Sequence, residues 1–153
     1  MQERIRELEA ELARVRAERD TLQADLQRTS RYVMAVEKAP TAVMCVSGEQ
    51  GRYVFVNQAF AELVGRSLDD VLSRDPYQIW VEVTHPDELE EERGALERIA
   101  KGEIDGYRFE KRFVPRAGAG GEPRWVRADL VASREPNGRL AVSYTHLTLP
   151  TKA

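Results

Sequence analysis

The residues of this chain that could do chemistry do not form a catalytic pattern. The sequence contains two histidines and a single cysteine, and no CxxC or HExxH motif includes them. No nucleophile stands beside a base in a known motif, and the phosphate-binding pattern GxxxxGK[ST] is missing. The glycines at positions 118, 120 and 121 fit a turn between two strands. We therefore expect no enzyme activity in this chain.

The composition excludes several further classes of protein. The net charge is −3 and the basic residues are interspersed, which argues against a nucleic-acid partner. A single cysteine, Cys45, excludes an intrachain disulfide framework and indicates a reducing, cytoplasmic compartment. No apolar run approaches the roughly 20 residues of a membrane span, and the N-terminus is charged, unlike a signal peptide. We expect no membrane contact within this sequence.

The first 38 residues carry a seven-residue apolar repeat. Eight of the ten a and d positions between Ile5 and Val36 are apolar, a pattern that predicts a left-handed coiled coil. A parallel homodimer is favoured because g and e charges of opposite sign would face each other across it. The alternative is a single solvated helix. We expect the dimer interface to comprise Ile5, Leu8, Leu12, Val15, Arg19, Leu22, Leu26, Val33 and Val36.

From Ala39 onward the pattern is that of a small globular domain. Residues 41–46 and 53–56 are short β-prone runs that predict a hairpin, the second strand being covered on both faces. Short helices are predicted next, and then a longer one over residues 86–101, with Leu89, Leu96 and Ile99 on its buried face. Three strands follow, over residues 107–113, 125–132 and from 139. This order predicts an α+β domain with a five-stranded antiparallel sheet carrying its helices on one face.

Three segments, in this order, resemble a known family. They are GRYVFVNQAFAELVG (51–65), THPDE (84–88) and YRFEKRFVPRAGAGGEPRWVRADLV (107–131). Together they resemble the PAS sensor domain with its PAS-associated C-terminal (PAC) motif, over roughly residues 32–141. The resemblance implies a signal-transduction module, often preceded by a coiled coil, of a two-component histidine kinase or a cyclic-dinucleotide enzyme.

The last twelve residues depart from the family. In the family the fifth strand ends in an Asp-Ile-Thr-like element, whereas this chain reads VSYTHLTLPTKA from Val142, which resembles a translated sequencing adapter. We therefore expect a PAS domain over residues 39–141, a non-native tail over 142–153, and a lost downstream output domain. In that case His146 has no functional role, although Val142 and Tyr144 could still complete a strand.

A pocket for a small organic ligand between helices and sheet is one interpretation of the apolar residues, and a filled core, slightly favoured, is the other. Asn57 is expected to cap the helix that follows it. The candidate pocket residues are Val54, Val56, Asn57, Phe60, Leu72, Tyr77, Ile79, Trp80, Leu89, Phe109 and Leu130.

No cofactor is favoured. Some haem-binding members of the family use a histidine of the long helix, but His85 directly precedes Pro86, a position typical of a helix cap. A light-sensing flavin adduct needs a cysteine within residues 75–85, and none is present. Cys45 is predicted to be a small buried residue. The favoured function is a dimeric PAS module that senses a ligand or relays a state; a ligand-free dimerisation scaffold is second and a haem sensor third.

Overall fold

A computed structural model of the chain describes residues 1–48, 51–114 and 122–149. It divides into two units, Met1–Val36 and Glu37–Ala153, which we describe separately. Helix α1 (Gln2–Glu37) makes up the first unit and confirms the helix expected there. None of its residues, all of which the structure describes, is buried. Within the described ranges every helix is too short or too polar to cross a membrane.

The second unit is an α+β domain built on one antiparallel sheet. Its strands run in the order β2-β1-β5-β4-β3, which confirms the predicted five-stranded antiparallel sheet. The elements are β1 (Ala42–Ser47), β2 (Arg52–Val56), α2 (Gln58–Leu63), α3 (Leu68–Leu72), α4 (Pro76–Val83), α5 (Pro86–Ala100), β3 (Gly106–Phe113), β4 (Arg124–Arg134) and β5 (Leu140–Thr148).

The last strand occupies the middle of the sheet. β5 pairs with β1 from Ala42 opposite His146 to Ser47 opposite Ala141, and with β4 on its other side. The expected boundary after Ala141 therefore falls inside β5, which the alternation of Val142 and Tyr144 completes. The non-native origin of residues 142–153 stays a prediction.

The helices of this domain begin at side chains that accept a hydrogen bond from the first turn. Each cap satisfies one of the amide groups that a helix leaves free at its start. Proline follows two of these caps at the first helical position, where its missing N–H costs nothing. The caps are Asn57, Ser67, Asp75 and His85, so the predicted capping by Asn57 is confirmed.

One core joins the helices to one face of the sheet. Alternate residues of β4, Val126, Ala128 and Leu130, are buried against it, as the two-residue period of a strand requires. The expectation that both faces of β2 are covered is wrong for Val54, which is 56% exposed. The register shifts between Cys45 and Val46, so Val54 has no opposite residue on β1. Cys45 is only partly buried.

Candidate functional site

A pair of opposite charges lies in the core. Lys111 of β3 and Glu92 of α5 are each only 1% exposed. The Lys111 ammonium donates to Glu92 Oε2 at 2.7 Å and to Thr84 Oγ1 at 3.1 Å. It also lies 5.4 Å and 5.2 Å from the ring centroids of Phe109 and Phe113, within cation–π range. The pair thus joins the long helix to the sheet through the interior.

The periodicity of the sequence brings these two charges inside. Lys111 stands two residues from both Phe109 and Phe113, and alternate residues of a strand share a face. Glu92 follows Leu89 by three residues and precedes Ile99 by seven, which places it on the buried stripe of α5. The predicted core and pocket residues include the apolar neighbours Phe109, Leu89 and Ile99 but neither Lys111 nor Glu92. The spacing of Lys111 from the phenylalanines of β3, and of Glu92 from the apolar residues of α5, was enough to predict that both charges are buried.

The electrostatics of the pair are set by its burial. Burial lowers the pKa of Lys111, and the charge and hydrogen bond of Glu92 partly oppose that shift. A buried charge is costly unless it is paired, so each member of the pair depends on the other. Glu92 Oε1 is buried as well, and among the described residues it has no hydrogen-bond partner. This oxygen is a vacant acceptor in the interior.

A small cavity lies beside the charged pair. Its volume is about 10 Å³, which is room for about one water molecule. We call it the inner cavity. It is lined by Met44, Tyr53, Phe60, Pro76, Ile79, Trp80, Val83, Glu92, Lys111, Phe113, Tyr144 and His146.

A larger cleft adjoins the inner cavity. It has a volume of about 330 Å³ and shares Met44, Pro76, Trp80 and Tyr144 with the inner cavity. Trp80 Nε1 is buried and finds no hydrogen-bond partner in the described ranges. A cleft of this size, with a mostly apolar lining and a few polar side chains, has the character of a small-molecule site. Its other lining residues are Val46, Ser47, Gly48, Gly51, Asp75, Tyr77, Arg93, Leu96 and Val142.

The structure brings some of the predicted pocket residues together. Tyr77 and Trp80 line the cleft, and Phe60, Ile79 and Trp80 line the inner cavity. The remaining ones line neither space: Val54 and Leu72 are 56% and 50% exposed, Leu89 is partly buried, and Val56, Phe109 and Leu130 fill the core.

Asn57 has a structural role. Its side chain accepts hydrogen bonds from the backbone N–H groups of Val43 and Phe60 and donates one to the carbonyl of Thr41. These bonds join β1 to the start of α2. Asn57 is therefore committed to the fold and does not face either space.

His85 caps α5 through its ring nitrogen Nδ1, which accepts a hydrogen bond from the backbone N–H of Asp87 at 3.2 Å. This confirms the capping interpretation. Within the part of the chain that the structure describes, no three His, Cys, Asp or Glu side chains group as a metal site requires. The glycines predicted to form a turn at 118, 120 and 121 lie outside the described residues.

His146 is buried and lines the inner cavity. Its ring packs against Phe60, Phe113 and Tyr144, with centroid distances of 5.6, 5.4 and 6.1 Å. Burial, reinforced by the nearby charge of Lys111, lowers the pKa of His146 to about 3. The imidazole is therefore neutral at neutral pH.

Comparison with known proteins agrees with this architecture. The family described as the PAS fold matches residues 53–144. The C4-dicarboxylate transport sensor protein DctS of Rhodobacter capsulatus is 30% identical over 119 residues, which cover 77% of this chain and 17% of that protein. The chain thus spans only a small part of this curated relative.

Two solved structures show the same fold. The PAS domain of a two-component sensor histidine kinase superposes with a TM-score of 0.61 at 14% identity, covering 82% of this chain and 99% of that one. The N-terminal domain of a diguanylate cyclase with a PAS/PAC sensor, from Marinobacter aquaeolei, gives a TM-score of 0.57 at 14% identity, covering 71% and 94%.

Proposed function

This chain belongs to the PAS fold family, and we propose that it is a sensory and signal-relay module of a larger signalling protein, dimeric through α1. The observation that carries the proposal is the exposed apolar stripe of α1. The apolar a and d side chains of this 36-residue helix are between 37% and 67% exposed. Only four residues, 38–41, separate the helix from the first strand of the sensor domain.

A second copy of the chain would bury that stripe. In a parallel pair Arg4 faces Glu9 of the partner copy and Glu11 faces Arg16, so the flanking charges favour this arrangement. Arg19 at an a position disfavours shifted registers and higher oligomers. We propose the homodimer as the working state of the module in the cytoplasm.

The proposed mechanism is a shift between two arrangements of the domain and its helical arm. Two packings that differ by a few kcal/mol are biased by an input, and the arm transmits the difference. The parent protein is proposed to be a histidine kinase or a cyclic-dinucleotide enzyme, with its output domain beyond residue 141. The relative DctS, a transport sensor protein, supports a sensory parent protein. Under this proposal the module itself performs no catalysis.

We propose the cleft as the input site, occupied by a small organic ligand. Its volume of about 330 Å³ lies within the usual range for such sites, and its lining is largely apolar with a few polar groups. A ligand-free scaffold is the second candidate. It is favoured by the inner cavity, which at about 10 Å³ leaves the core itself filled.

Native mass spectrometry of the purified chain, with an absorption spectrum, tests the proposal. We expect a dimer at micromolar concentration, and a mass in excess of the polypeptide if a metabolite is retained. A monomer at that concentration would overturn the dimeric relay. A dimer that never carries or accepts a small molecule would favour the scaffold, and a Soret band would indicate haem.

A further inference from the structure

We propose that the vacant oxygen of Glu92 determines which ligands the cleft accepts: small organic molecules with an apolar body and one hydroxyl-type head, carrying no negative charge. This inference rests on the proposed function, because it names the ligand class of the same cleft. The vacant atom belongs to a side chain that is 1% exposed and lines the inner cavity.

The volumes of the two spaces set the size of the head and of the body. The inner cavity holds about one non-hydrogen atom, and the adjoining cleft, at about 330 Å³, holds a ring or short chain. The two spaces share Met44, Pro76, Trp80 and Tyr144 in their walls, and the proposal requires a ligand to reach between these residues from the cleft into the inner cavity. A single polar atom at the end of an apolar group fits this geometry.

The charges around the inner cavity set the chemistry of the head. Two of the three N–H donors of Lys111 already bond Glu92 Oε2 and Thr84 Oγ1, and its ammonium also lies against the rings of Phe109 and Phe113. The vacant group is a carboxylate oxygen, which accepts hydrogen bonds and repels a carbonyl or carboxylate oxygen. The buried Trp80 Nε1–H, also without a partner among the described residues, adds a donor. A hydroxyl head can donate a hydrogen bond to Glu92 Oε1 and accept one from a donor such as Trp80 Nε1–H or the Tyr53 hydroxyl, which is also buried without a partner among the described residues.

The same charges argue against anionic ligands. The cleft is lined by one acid and one base, Asp75 and Arg93, and the inner cavity by Glu92 and Lys111. Neither pair leaves the surplus of positive charge that a dicarboxylate needs on leaving water. The cleft is thus not suited to the compound class in the name of the relative DctS. All four of these charged residues precede Val142, whereas Val142, Tyr144 and His146 of the adapter-like tail contribute to the walls of the two spaces.

The experiment uses Trp80 as the reporter. Trp125→Phe leaves it as the single tryptophan of the full-length chain, and its indole N–H resonance is followed by NMR. Four probes share one ring and differ in the head: benzyl alcohol, acetophenone, toluene and benzoate. We expect benzyl alcohol to bind about tenfold more tightly than acetophenone or toluene, since a hydrogen bond to a charged group carries about that factor. Benzoate should bind most weakly.

Two variants in this background separate the role of Glu92 from general packing. In Glu92→Gln, Lys111 takes the amide oxygen and the vacant position presents an N–H₂ donor, so acetophenone should become equal to benzyl alcohol or better. In Glu92→Leu with Lys111→Met, the pair is replaced by apolar groups of similar size, which generally preserves a fold. There benzyl alcohol and toluene should bind equally.

Several results would overturn the inference. Benzoate binding as tightly as benzyl alcohol is one, and a tenfold preference that survives in both variants is another. Failure of all four probes to bind would also overturn it. Native mass of the same samples separates this failure from failure of the proposed function: a dimer without binding leaves the relay standing, and a monomer with the expected preferences leaves the ligand class standing.

Discussion

Helix α1 exposes its apolar residues to solvent, whereas the sheet domain buries its own. The apolar heptad positions of α1 are 37% to 67% exposed, whereas the core residues of the domain, such as Phe60 and Ile79, are 1% to 2% exposed. The domain buries its apolar surface within one chain. Under the proposed function the helix does so against a second copy of the chain. Assembly and domain stability should therefore respond to different substitutions.

The largest expected effect is on assembly. Leu8→Glu with Leu22→Glu places four carboxylates at the d positions of a dimer, which should weaken association by roughly 10⁴-fold or more. The thermal midpoint of the domain should stay unchanged. Sedimentation equilibrium and thermal unfolding measure the two quantities. Ala10→Glu with Ala24→Glu is the matched control, because it adds the same charge at outward f positions. A dimer that survives the leucine substitutions contradicts the coiled-coil interface.

The next largest effect is expected on the stability of the sheet domain, without a change in assembly. Lys111→Ala leaves the Glu92 carboxylate buried and unpaired, and should lower the free energy of unfolding by about 3–5 kcal/mol. Urea titration followed by tryptophan fluorescence measures this, with the dimer retained. The control is Arg108→Ala, which removes a 70% exposed side chain from its ion pair with Asp129 on the same hairpin and should cost less than about 1 kcal/mol. Equal costs for the two would mean that the buried pair adds no specific stability.

A smaller effect on the free energy of unfolding is expected when the pH is lowered. Because the pKa of His146 falls to about 3 in the folded domain, the folded state binds fewer protons than the unfolded chain between that value and the ordinary 6.5. The stability is fully present above pH 6.5 and is lost as the pH falls, by roughly 3 kcal/mol at pH 4. His146→Phe should remove this part of the acid dependence. Urea titrations of both proteins from pH 7 to pH 4 test it, and parallel curves would contradict the buried neutral histidine.

The elements of the fold could be predicted because their signals are local. The cap at Asn57, the proline after His85 and the alternation around Phe109 each lie within a few residues of the element they define. The strand after residue 139 was also predicted, although its central place in the sheet follows only from pairing with β1 and β4. Local sequence patterns therefore predict the helices and strands, whereas the order of the strands in the sheet depends on pairing between residues far apart in the sequence.

The site could be predicted only in part because its key contact is not local. Glu92 and Lys111 lie 19 residues apart on different elements, and each alone looks like an ordinary surface charge. Val54 and Leu72 were assigned to the pocket from residue type, yet half or more of each side chain is exposed. The register shift between Cys45 and Val46 leaves Val54 as an extra residue of β2, which explains the first of these errors. No residue type in the hairpin indicates this irregularity in advance.

The central position of β5 has a consequence for how the domain forms during synthesis. Until residues 140–148 leave the ribosome, β1–β2 and β3–β4 can pair only as two separate hairpins, each with an edge that lacks its β5 partner. Ala42 and His146, which finally pair, are about 100 residues apart, so the sheet closes late and by a long-range step. A nascent domain at this stage exposes strand edges that other chains can join. The last strand to be made therefore ends a period of vulnerability to misassembly.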